Sequence, residues 1–197
     1  GVEGPTTNVL IKELRKQQQK NLLFSLFISR GVPMLLMGDE IGRSQGGNNN
    51  SWCQDNSLGW MNWNYEQQDS ELLSYLKDLI RIRKKFINFF NPNFSTHNKD
   101  IVNSPTYHWH GTKLESPDWS SWSHTIAFSI NQGATNGLLW AGLNAYSKDI
   151  DFCIPETKGN WLKVIDTSKS EIFEPYPINE DSILIKSRSS VLIISEE

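Results

Sequence analysis

GVPMLLMGDEIGRSQGGNNNSWCQDN, Gly31–Asn56, passes from an apolar run directly into a polar loop. In Val32–Met37 both alternations are apolar, and Pro33 sits near the start, where a strand tolerates it. That pattern predicts a strand buried on both faces, as in parallel sheets with helices outside. From Gly38 onward the hydrophobic pattern stops. Two carboxylates, an arginine, three consecutive asparagines, a tryptophan and a cysteine follow, with the period of neither a helix nor a strand.

Working outward, residues 8–30 read as a helix. Thr7 or Asn8 can cap it, Leu10, Ile11 and Leu14 begin an apolar stripe, and Leu22, Leu23, Leu26 and Phe27 resume it. The polar middle, RKQQQKN, suggests a break or a bend. Gly31 is placed to take a left-handed conformation after the last turn. Beyond the loop, DSELLSYLKDLIRIRKKFINFF gives the clearest helical stripe, through Leu72, Leu73, Leu76, Leu79, Ile80, Phe86 and Ile87. Acids lie in its first turn and Arg83, Lys84 and Lys85 near its end, as the helix dipole prefers. Pro92 bars continuation. Thereafter TYHWH, TIAFSI, GLLWAGLN, IDFCI, WLKVID, SILIK and SVLIIS alternate with Gly, Pro, Asn, Asp and Ser, the grammar of an antiparallel sandwich or barrel. The expected division is therefore 1–92, helix–strand–loop–helix, and 93–197, all β.

The 197 residues carry a net charge of -3, and the densest basic run, Arg81–Lys85, belongs to a helix end. Neither nucleic acid nor an anionic membrane is an expected partner. No apolar stretch approaches the roughly 20 residues of a membrane span. Cys53 and Cys153 lie far apart without metal-type spacing and read as reduced thiols, which points to the cytoplasm. No signal peptide is visible, and the start at Gly1 instead of Met fits a processed product or a piece of something longer. Eight tryptophans occur, two groups of them clustered: Trp52, Trp60 and Trp63, then Trp109, Trp119 and Trp122. Indoles stack on sugar faces as readily as they fill cores, so carbohydrate enters as a candidate ligand.

The first half is physically incomplete. One buried parallel strand needs neighbours for its backbone groups, and this segment supplies none. Here the motifs resemble a family. GVPMLLMGDEIGRSQGGNNNSWCQDN is similar to the segment around the eighth barrel strand of isoamylase-type glycogen and starch debranching enzymes, in the α-amylase superfamily. GVEGPT resembles the stretch after their seventh strand, while WMNW and YHWHGTKLESPDWSSWSHTIAF resemble the run into the last barrel helix and the start of the C-terminal β domain. The resemblance implies α/β plus all-β architecture: the last strand and flanking helices of a (β/α)8 TIM barrel, then an antiparallel β-sandwich. It implies retaining hydrolysis of α-1,6 branch linkages, which needs a nucleophilic carboxylate and an acid about 5 Å apart. The family's catalytic carboxylates all precede the region matching Gly1. The chain is thus expected to be a C-terminal fragment without them, inactive alone, with the missing barrel and a branched α-glucan as partners. No cofactor is expected. A plastid location applies if the source is a photosynthetic eukaryote.

Candidate substrate-binding residues are Asp39, Glu40, Arg43, Asn48, Asn49, Asn50, Trp52 and Asp55. Asp39 and Glu40 are adjacent, so their side chains leave a strand end on opposite sides and make an improbable catalytic pair. One can face sugar hydroxyls at the barrel mouth, or both can cap the loop or pair with Arg43. The asparagine amides donate and accept as hydroxyls do, yet they equally suit turns that bond their own backbone. Trp52 is a stacking platform or a packing residue, and Asp55 a polar contact or a turn cap. His108 and His110 share one strand face, a metal pair only with a third ligand such as His124. A structural role is the better reading, and Cys53 lacks the histidine a nucleophile needs. Two rivals to the enzyme remain: a β module that grips glucan without chemistry, and a purely structural end domain.

Overall fold

Asn8 opens the first helix, α1 (Val9–Ile28), its Oδ1 accepting from the Ile11 amide at 3.3 Å. The computed structural model describes residues 2–64, 70–90, 105–132, 137–169 and 175–196. The polar middle of α1 neither breaks nor bends out of helix. Three of its side chains, Gln17, Lys20 and Asn21, instead dock it against the β half. Lys20 Nζ reaches Glu71 at 2.7 Å and the Lys169 carbonyl at 3.3 Å. Gln17 and Asn21 both donate to the Arg188 carbonyl, at 3.2 and 2.7 Å. The second helix, α2 (Ser70–Lys85), buries Leu72, Tyr75, Leu76 and Leu79, and a short α3 (Ile87–Phe90) adds Phe89 and Phe90.

Arg83 does more than complement its own helix dipole. It is buried, donating to the carbonyls of Phe27, Ser29 (2.9 Å) and Gly31, with its guanidinium 4.9 Å from the centre of the Phe90 ring. The last carbonyls of a helix have no partner within it, and here another helix supplies a cation for them.

All seven expected β runs form strands: β1 (Thr106–His110), β2 (Thr125–Asn131), β3 (Leu138–Asn144), β4 (Ile150–Cys153), β5 (Asn160–Asp166), β7 (Ser182–Ile185) and β8 (Ser189–Glu196). A further strand, β6 (Tyr176–Ile178), was not anticipated; it is three residues long, carries a proline and sits at an edge, where proline is tolerated. Six strands form one antiparallel sheet in the order β1-β2-β3-β8-β5-β6, and β4 pairs with β7.

Two cores lie on the two faces of the larger sheet. Toward the helices, Phe24, Phe27, Leu76 and Leu79 pack on Ile130, Leu139, Ala141, Ile165, Leu192 and Ile194. Toward the β4–β7 pair, Trp140, Trp161, Val191 and Ile193 meet Phe152, Ile183 and Ile185. Gly142 is required on this face: a Cβ there would come within 2.4 Å of the Trp140 ring and 2.5 Å of Ile185. Asn144, 1 % exposed, joins the layers by donating to the Lys148, Ile185 and Lys186 carbonyls. The helices are therefore not a separate body; they share a core with the sheet.

Two expectations are corrected. Residues 32–37 have no regular secondary structure and are not buried: Val32 and Met34 are each 85 % exposed. Among the described residues the backbone groups of a lone parallel strand have no ladder partner, so no strand forms there. Leu10 and Leu14 of the N-terminal stripe of α1 also face outward, 75 % and 37 % exposed, as does Leu22 at 72 %, because the sheet lies against only one side of the helix. Pro92 and the 92/93 boundary fall outside the described residues.

Candidate functional site

The polar loop is built between two fixed ends. Gly38 takes φ +103 and opens a single 3₁₀ turn, Asp39–Ile41, which Gly42 closes at φ +67. A Cβ on Gly42 would touch Gln19 of α1 and Leu72 of α2, so the turn rests on both helices. Glu40 reaches back to accept from the Gly38 amide at 2.7 Å. That leaves Glu40 as the cap of its own turn, while Asp39 is exposed.

Arg43 holds the loop mouth. Its amide donates to the Gly38 carbonyl at 2.9 Å and its Nη1 to the Gly59 carbonyl at 3.1 Å, joining residues 16 positions apart. Its guanidinium pairs with neither Asp39 nor Glu40. Between these ends the asparagines bond in series: Asn48 Oδ1 accepts from the Asn50 amide (2.9 Å), and Asn50 Oδ1 from the Trp52 amide (3.2 Å). Such Asx turns fix backbone direction without neighbouring strands. Asn49 projects between them, exposed.

Trp52 is 88 % exposed, so its indole does not pack the loop onto this chain. Asp55 is the turn's anchor for a second indole, its Oδ1 accepting from Trp60 Nε1 at 2.8 Å. Trp60 and Trp63 are also exposed. The structure thus brings Glu40 and Arg43 together around Gly38, Asn48 and Asn50 together before Trp52, and Asp55 together with Trp60. The Asp55–Trp60 contact was not read from the sequence, although the five-residue spacing across a turn was there to see. Chemically, the loop offers amides and exposed aromatic faces on a clamped frame, suited to holding a hydroxyl-rich ligand.

The histidines do other work. His110 is buried; Nε2 bonds Ser129 Oγ and Nδ1 accepts from the Glu115 amide, both at 2.9 Å. Both ring nitrogens are engaged, so His110 fixes the turn after β1 instead of pairing with His108 on a metal. Burial, with a smaller effect of His108, pushes its pKa below the usual histidine value against the opposing pull of Glu115. Among the described residues no group of three or more His, Cys, Asp or Glu is arranged to hold a metal ion. Cys53 and Cys153 are exposed thiols, not joined to each other.

Residues 108–193 match the family described as isoamylase 1-3, C-terminal. Chloroplastic isoamylase 1 of Oryza sativa subsp. japonica is 33% identical over 184 residues, 93% of this chain and 22% of that protein. The glycogen debranching enzyme of Dickeya chrysanthemi is 34% identical over 162 residues, 82% of this chain and 23% of its own length. In fold, the chain is similar to a pullulanase type I from Bacillus subtilis str. 168, with a TM-score of 0.71 at 18% identity over 98% of this chain and 25% of that one. The chain spans under a quarter of the length of these two curated relatives. Over that span it is similar to isoamylase-type debranching enzymes, and residues 108–193 match the domain described as the C-terminal part of isoamylases 1-3.

Proposed function

We propose that this chain is the C-terminal part of a glycoside hydrolase that hydrolyses α-1,6 branch linkages in glycogen or starch, with the catalytic carboxylates supplied by the preceding barrel. In that enzyme residues 32–37 are the last barrel strand, and residues 1–92 complete the barrel before the β domain at 93–197. The Gly38–Asn56 loop lines the substrate cleft, where Asp39, Arg43, Asn48, Asn49, Asn50, Trp52 and Asp55 face or frame the glucan, with Glu40 shaping the turn. The carrying observation is Trp52, an indole 88 % exposed at the tip of an otherwise tightly bonded loop. The loop follows directly on residues 32–37, whose apolar side chains are exposed. The working compartment is the cytoplasm, or the plastid in a photosynthetic eukaryote. No helix among the described residues is long and apolar enough to cross a membrane.

Trp52→Ala in the complete enzyme tests this reading. Losing one stacking contact of about 1–3 kcal/mol lowers kcat/KM on branched glucan roughly ten- to a hundred-fold at unchanged melting temperature. Asn49→Ala acts in the same direction, less strongly. Unchanged kinetics with a lower melting temperature would make the loop scaffolding and refute the assignment.

A further inference from the structure

On the sheet face turned to the β4–β7 pair, a polar cleft of about 440 Å³ opens at the end of β1. Buried His110 and Ser129 form its floor, and exposed His108, Glu115 and Glu156 stand at its rim. The floor is wired in one direction. The Glu115 amide donates to His110 Nδ1 at 2.9 Å, and burial favours the uncharged ring, so its proton sits on Nε2. That proton points to Ser129 Oγ, 2.9 Å away. Ser129 is only 4 % exposed, and among the described residues no acceptor takes its own hydroxyl hydrogen. A buried donor left unmade is costly, and this one lines the cleft. The turn above it is strained. Glu115 sits at φ +54, which residues other than glycine seldom adopt, and a Cβ on Gly111 would come within 2.4 Å of the Ser116 carbonyl oxygen.

From this geometry we infer that the cleft binds a neutral, hydroxyl-rich molecule the size of a mono- or disaccharide. Its volume lies within the roughly 300–1,000 Å³ of small-molecule sites. The donor set selects the chemistry. An anion would meet two carboxylates, Glu115 and Glu156, and an ammonium has no lone pair for the Ser129 proton. A metal ion finds no group of three ligands among the described residues. A sugar hydroxyl meets both demands, accepting from Ser129 and donating to a rim carboxylate, while Leu138 and Pro155 supply apolar surface for the ring carbons. The inference goes beyond the proposed function and does not depend on it.

The test follows the four histidines of the 197-residue chain by imidazole nitrogen NMR. His110 is expected as the Nε2–H tautomer. Maltose should shift the His108 and His110 signals saturably, and Ser129→Ala should weaken that binding about tenfold, the worth of one hydrogen bond. Glu156→Ala, at an exposed position, should weaken it as well and keeps the test decisive if the Ser129 variant misfolds. Trp52→Ala should leave it unchanged. Equal shifts from maltoheptaose would show that a glucan end enters, and shifts from maltose alone that a free sugar does. The inference is overturned by the absence of a saturable shift, by equal shifts from glycerol or ethylammonium, or by the Nδ1–H tautomer. Binding lost in Trp52→Ala but kept in Ser129→Ala would overturn it too. Debranching by the complete enzyme reports separately on the proposed function, so either can fail alone.

Discussion

The hydroxyl of Thr167, wholly buried, donates to Asn21 Oδ1 at 2.6 Å and so ties the end of β5 to the middle of α1. The same oxygen accepts from the Ser190 amide at 2.8 Å and from Gln17 Nε2 at 3.1 Å. One atom therefore connects β5, β8 and the helix layer. Thr167→Val keeps the shape and removes the oxygen, leaving buried donors unsatisfied. We expect a loss of about 1–3 kcal/mol in urea unfolding. A change below about 0.5 kcal/mol, the range of ordinary surface substitutions, would show that the network adds nothing.

Arg83→Met tests the cap on α1. The methionine fills much of the volume but leaves the Phe27, Ser29 and Gly31 carbonyls without their donor. Destabilisation of about 3 kcal/mol is expected, because bonds to a charged group exceed neutral ones. Amide exchange should rise first in the last turn of α1. Equal protection there in both proteins would contradict the capping role.

Gly38→Ala strains the loop twice. The backbone is at φ +103, and the added carbon would come within 2.7 Å of Arg43 Cδ. Roughly 1–3 kcal/mol of strain is expected. It should appear as faster proteolytic cleavage between residues 38 and 59, since Arg43 closes that span. Wild-type cleavage rates would mean the clamp is dispensable.

His110 makes stability pH-dependent. Its folded pKa lies below that of the unfolded chain, so the unfolded state binds more protons as pH falls below about 6.5. The contribution is full above that pH and shrinks on acidification until the folded histidine also protonates. The melting temperature should drop between pH 7 and pH 5, and His110→Gln should flatten that part of the profile. Glu115 and His108 lie beside it, so the comparison with His110→Gln, not the raw slope, carries the conclusion.

What was legible in the sequence follows from how local each cause is. The β runs were readable because alternation along a strand is local: Tyr107 and Trp109 face the helices, His108 and His110 the other side. The capping role of Asn8 was readable for the same reason. Arg83 was not, since the carbonyls it serves lie 52 to 56 residues away. Nor was the exposure of Leu10, Leu22 and Val32–Met37 visible, because an apolar stripe states that a face wants burial but not that the chain provides it. In the loop, the turn chemistry of Asn48 and Asn50 was one of two readings offered, and the bonds found are of that kind. The exposed indole of Trp52 is what the turn reading alone leaves without a purpose.

The strand order has a consequence for biosynthesis. β8 lies between β3 and β5, yet it is last in sequence among the described strands. Everything made before Ser189 emerges from the ribosome with the edges of β3 and β5 open, and open edges recruit other chains. Neither sheet core can close until Val191–Ile194 arrives, because those residues supply both faces. Nascent chains stalled or cut short before that point are therefore the species that chaperones must hold, and a premature stop there costs the whole domain and not merely its tail.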